Sequence, residues 1–177
     1  EELIHIATNY GRLRFKAPSK AQALPLPIVF DAVFGEHLKS LIHMEGARRV
    51  QAVSDVLNNP AIAGRWKTVA LRTASEQQLA WVHTAAHIAR IAATEGKPVA
   101  SLDLDTQTTA LSCQVARQAV GSVFALLDEV WNGSQPRGFA FVRPPGHHAE
   151  PDRAMGFWLF NNVALGACYL EHVYGLE

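Results

Sequence analysis

Apolar positions along this chain alternate between short continuous runs and stripes at helical spacing. Residues 26–30 form a compact apolar run closed by Asp31 and read as a strand. Over 46–57 the spacing turns helical, with Val50, Val53, Val56 and Leu57 on one side, and Asn58-Asn59-Pro60 stops the pattern. Residues 68–71 are a second strand candidate. Ser75 followed by Gln78 is a capping-box signature, and the helix it opens is predicted to run toward Glu95-Gly96, where Lys97-Pro98 breaks it. The longest helical pattern covers 112–131 and ends at Asn132-Gly133. Gly138-Phe139-Ala140-Phe141-Val142 then reads as a buried strand in the sheet interior, and 162–174 as a helix with Gly175 as its stop. Strands separated by helices imply parallel pairing and an α/β class.

Composition narrows the picture modestly. At 177 residues and 49% hydrophobic, the chain can bury a core as one domain. Sixteen basic and sixteen acidic residues cancel, which argues against a large non-specific attraction for nucleic acid or an anionic membrane. No apolar run approaches the ~18 residues of a bilayer span. The chain opens on Glu1-Glu2 with no basic region before an apolar stretch, so no secretory signal is expected. Cys113 and Cys168 are too few and too far apart for a zinc knuckle and suit a reducing compartment, so the cytoplasm is the expected location.

The chemistry concentrates after the strand predicted at 138–142. Arg143-Pro144-Pro145-Gly146-His147-His148 places two imidazoles beyond a Pro-Pro-Gly bend. Proline fixes φ, glycine permits close backbone approach, and imidazole exchanges protons near neutral pH. The C-terminal end of a strand in an open α/β sheet is where catalytic groups collect. The bland alternative is a pair of surface-turn histidines. Eight residues on comes Gly156-Phe157-Trp158-Leu159-Phe160-Asn161-Asn162. With these two motifs the chain resembles the zinc-dependent histone deacetylases and the bacterial acetylpolyamine and acetoin-utilisation-type amidohydrolases. The resemblance is closer to class II-like and bacterial members. Weaker echoes are His43-Met44-Glu45 with Arg48, the Glu76–His83 stretch, and Asp105-Thr106 before Ser112. Trp158 stands where the family normally has Cys, and its bulk must narrow an internal cavity or displace neighbours.

The resemblance implies the N-terminal portion of an arginase/deacetylase-type open, mainly parallel sheet with flanking helices. Residues 26–177 would be the N-terminal part of a catalytic domain, and residues 1–25 an extension or extra strand. It also implies a zinc-dependent amidohydrolase that removes acetyl or other acyl groups from lysine side chains or polyamine-like amines. His148 would be the general base and then acid, and His147 would hydrogen-bond the attacking water. Phe157 would wall a narrow tunnel, Gly156 would offer its carbonyl to the substrate amide, and Asp105 would grip substrate backbone amides. For Gly156 and Phe157 plain packing after a turn is the alternative; for Asp105 it is an ordinary acid near a helix N-terminus. Zinc ligands are expected downstream of Glu177, with none within this chain, and a structural potassium ion is compatible with the complete protein. Partners would be an acetylated lysine peptide or acetylated small amine, without nucleic acid or membrane, and homo-oligomerisation is open.

Two other constellations compete. His83-Thr84-Ala85-Ala86-His87 places histidines at i and i+4, a spacing that can chelate zinc on one helix face, but Thr84 stands where a zincin has Glu. His43 and Glu45 beside Arg48 suit a rim-shaping loop. A non-catalytic, truncated deacetylase-like binding or assembly module is the alternative to the enzyme reading.

Overall fold

The structure, a computed structural model, describes residues 3–8, 11–16 and 24–176. Strands β1 (Leu3–Thr8) and β2 (Gly11–Lys16) pair antiparallel with Leu3 opposite Lys16. The expectation for 1–25 otherwise falls on residues outside those described.

A parallel sheet organises the chain from residue 26 onward. It is built from β3 (Leu26–Val29), β4 (Trp66–Thr68) and β7 (Phe139–Ala140) in the order β4-β3-β7. The register sets Ile28 opposite Thr68 on one side and Phe139 on the other. β3 is the apolar run, and it is central because Ile28 and Val29 are buried. Strand β7 is shorter than the run that predicts it and lies at the edge of this sheet among the described residues, with Phe139 56% exposed. The interior placement expected for 138–142 is therefore corrected. The run flanks the core with Ala140 and Val142, while its alternate position Phe139 faces out. A small antiparallel pair, β5 (Ala100–Ser101) with β6 (Gln107–Thr108), carries the 102–106 loop.

Helix α1 (Arg48–Leu57) joins β3 to β4, with Val50 packed on the core and Val56 exposed despite its apolar stripe. The single helix predicted from Ser75 is two pieces. The capping box opens α2 (Glu76–Leu79), which ends after one turn, and Thr84 then caps α3 (Ala85–Ala92) by accepting from His87 N–H. Thr84 prefers that capping role to a mid-helix site, and its own N–H goes to the Pro151 carbonyl. Helix α4 (Ser112–Asn132) is the central packing element. One side, through Val115, Ala119 and Leu126, meets the sheet; the other, through Ala116, Val120 and Phe124, meets Leu159, Leu165 and Tyr169. Helix α5 (Asn162–Tyr174) lies where its pattern predicts, capped by Asn161, whose side chain accepts from Ala164 N–H, and ended at Gly175.

This order has a functional consequence. From β3 the chain moves one way to β4, and later returns to β3's other side as β7. Strand order thus reverses at β3, so the loops leaving β3 and β7 at their C-terminal ends border one crevice.

Candidate active site

Arg143 stitches those two loops together. It is buried, and its guanidinium donates to Glu45 Oε1 (3.1 Å), to the Phe34 carbonyl (2.8 Å), to the His37 carbonyl and to the Glu45 carbonyl. Glu45 is buried too and takes a second cation, Arg49, at 2.7 Å. The planar fork of Arg spreads one buried charge over several fixed acceptors, which offsets its desolvation. His37, deep in the same loop, shares a 2.8 Å hydrogen bond with Ser112. Burial, the Arg143 charge and His43 together push its pKa down to about 3.

Beyond Arg143 the peptide to Pro144 is cis, and the backbone is held from several sides. Asn162 donates to the Pro144 carbonyl (3.2 Å) and Asn161 to the Ala149 carbonyl (3.0 Å). Gly146 presses against the chain entering α5: a Cβ there would come within 2.7 Å of the Phe160 carbonyl oxygen, so only glycine fits. From below, His83 Nδ1–H donates to the Glu150 carbonyl (3.0 Å) while its Nε2 accepts from Asn161 N–H (2.9 Å).

On this braced loop His147 and His148 are both exposed, with ring centroids 4.7 Å apart at 75°. The buried indole of Trp158 touches both. The turn that follows is built for proximity. Gly156 (φ 63°) and Phe157 (φ 75°) both have left-handed backbones, and the Gly156 Cα sits so near His148 that a Cβ would lie 3.1 Å from Nδ1. Asp105 Oδ1 accepts from Gly156 N–H and Thr106 Oγ1 from Phe157 N–H, each at 3.2 Å. The Phe157 ring meets His43 edge-on at 4.8 Å. Five residues marked in the sequence, His147, His148, Gly156, Phe157 and Asp105, are thus brought together. Asp105 lies in the 102–106 loop, so its reading as an acid at a helix N-terminus is corrected.

The competing histidine pair is committed elsewhere. His83 precedes the cap of α3 and shares no helix face with His87, although the rings are 4.9 Å apart. With Nδ1–H donating and Nε2 accepting, His83 is neutral. Burial, then the neighbouring His87, lower its pKa to about 4. His87 Nε2–H donates to the Leu159 carbonyl at 2.9 Å, and burial lowers its pKa as well. Among the described residues no three His, Cys, Asp or Glu side chains gather to hold a metal ion. A cavity of about 570 Å³ opens at the opposite, N-terminal ends of the strands, lined by Leu26, Trp66, Arg65, Arg137 and Phe139. It contains no group that exchanges protons near neutrality, so the imidazole corner is the better candidate site.

Sequence reasoning did not assign the bracing roles of Arg143, Asn161, Asn162 and Thr106. Arg143 carried a usable signal: a lone cation directly after a buried strand needs an acid, and Glu45 was at hand.

Comparison with known proteins shows what the chain is similar to. The histone deacetylase domain model matches residues 43–177. Histone deacetylase 15 of Arabidopsis thaliana is 31% identical over 166 residues, covering 93% of this chain and 30% of that protein. Polyamine deacetylase HDAC10 of Rattus norvegicus is 34% identical over 140 residues, covering 76% of this chain and 24% of that protein. The crystal structure of the HDA15 HD domain superposes with a TM-score of 0.76 at 31% identity, over 84% of this chain and 44% of that one. The chain therefore spans less than a third of these curated relatives and under half of the solved domain.

Proposed function

The chain belongs to the histone deacetylase domain family, and we propose that it is the N-terminal part of an amidohydrolase domain that removes acetyl groups from lysine side chains or small amines. In this reading His148 takes a proton from the attacking water and returns it to the departing amine, while His147 hydrogen-bonds that water. Phe157 borders the channel for the substrate's methylene stem, and Gly156 receives the substrate amide at its carbonyl. Asp105 supports that turn from the side and keeps one carboxylate oxygen for the substrate backbone.

The observation that carries the proposal is the contrast between fixed backbone and open imidazoles at one corner. A loop held by Arg143, Asn161, Asn162 and His83 presents two exposed rings beside the Gly156-Phe157 turn. General acid–base catalysis needs that combination, since the base must be placed yet free to change protonation.

Zinc, when bound, would supply Lewis-acid activation of water and carbonyl. The described residues do not offer it a ligand set, so its ligands, and those of a structural potassium ion, belong to other parts of the protein in this proposal. Among the described residues no helix is long and apolar enough to cross a membrane. Cytoplasmic location and an acetylated lysine peptide or acetylated amine as partner complete the proposal.

The test is His148→Ala in the complete protein, assayed on an acetyl-lysine peptide and an acetylated polyamine. Turnover should fall by ~10²–10⁴-fold with metal content unchanged. Loss of zinc in step with activity would make His148 a ligand and overturn the assignment.

A further inference from the structure

Trp158 is 9% exposed, and its ring centroid lies 3.8 Å from that of His147 and 3.7 Å from that of His148, at 55° and 71°. One rigid indole therefore touches both members of the exposed pair. Its backbone is equally constrained. Trp158 N–H donates to the Met155 carbonyl (3.1 Å) and Met155 N–H to the Trp158 carbonyl (3.2 Å), closing the left-handed Gly156-Phe157 turn. That turn is tied in addition to Asp105 and Thr106. The indole therefore starts from a fixed point of the backbone.

Braced backbone alone does not orient an exposed imidazole. Exposed side chains change rotamer within picoseconds to nanoseconds, so two rings on a rigid loop would still sample several orientations. We propose that Trp158 is a positioning residue, whose indole packs beside the His147 and His148 rings and holds them at a set angle to each other. This role rests on the catalytic reading of the pair. The three centroids form a triangle whose longest side is the 4.7 Å between the imidazoles, so one buried indole packs beside both rings and limits the rotamers open to each. An aliphatic side chain of similar volume would fill the space without specifying the angle.

The first measurement is nuclear magnetic resonance of the histidine ring protons in the complete protein. The indole ring current should shift the His147 and His148 signals away from ordinary imidazole positions, and Trp158→Leu should return them there. The second is kinetic. Trp158→Leu should lower kcat by about 10- to 100-fold with KM nearly unchanged, because misplacement of a catalytic group acts on the chemical step. Trp158→Phe, which keeps an aromatic edge, should recover most of the loss. Unshifted ring protons in the unsubstituted protein, with His148→Ala still inactive, would overturn the role of Trp158 and leave the dyad standing. Equal kcat for Trp158→Leu and the parent would do the same. Shifted signals with full turnover in His148→Ala would overturn the dyad reading, and the positioning role with it.

Discussion

The molecule holds two histidine pairs with almost the same spacing, 4.7 Å between the rings of His147 and His148 and 4.9 Å between those of His83 and His87. Proximity does not separate them. The difference lies in the commitment of the ring nitrogens. Both His83 nitrogens and one of His87 bond backbone groups in a buried setting, which keeps the rings neutral and makes them struts. The other pair is exposed on the loop those struts hold, and its chemistry is left for a substrate. A histidine motif is thus read from the hydrogen bonds its surroundings demand, and spacing alone misleads.

The contrast can be tested first by pH. His37 and His83 titrate near 3 and 4 when folded, against an ordinary 6.5 in the unfolded chain. Between pH 6.5 and 4 the unfolded chain therefore binds more protons, and stability falls as pH falls. Urea midpoints should show a loss of several kcal/mol across that window, since a tenfold difference in proton affinity between the two states is worth ~1.4 kcal/mol. A flat profile would mean that the struts carry protons in the folded state and would erase the distinction.

Substitution sharpens it next. His83→Ala orphans the Asn161 N–H and the Glu150 carbonyl, so equilibrium unfolding should show a loss of about 2–4 kcal/mol. His148→Ala, at an exposed position, should stay within about 1 kcal/mol of the parent. Similar losses from both would make the exposed pair structural as well. A smaller loss than that of His83→Ala is expected from Asn162→Ala, which removes one brace at Pro144 and should cost about 1 kcal/mol in the same assay, with the dyad intact.

Legibility in the sequence followed the same divide. Helix α5, the capping box at Ser75 and the corner at 143–148 are local patterns, and each was readable from its own residues. The break at Thr84 was missed because apolar periodicity continues through it, while the competing demand, capping by a hydroxyl and a bond to Pro151, comes from elsewhere in the fold. The edge position of β7 depends on which strands join the sheet, and no pattern within 138–142 encodes that. The site residues were recognisable as a motif, whereas Arg143's partners lie in a segment with which it shares no periodicity.

Arg143 reaches Glu45 across 98 residues and Phe34 across 109. Such closures are entropically expensive and come late, after local helices have formed. The order in which the chain leaves the ribosome then matters. A nascent chain halted just before residue 143 has made Glu45 and its loop but lacks their main counter-charge, and Arg49 alone must serve. The crevice at the switch of strand order therefore closes only once residue 143 has been made. Until it closes, the segment around His37 and Glu45 is the part of the protein that a chaperone or a protease would meet unlatched.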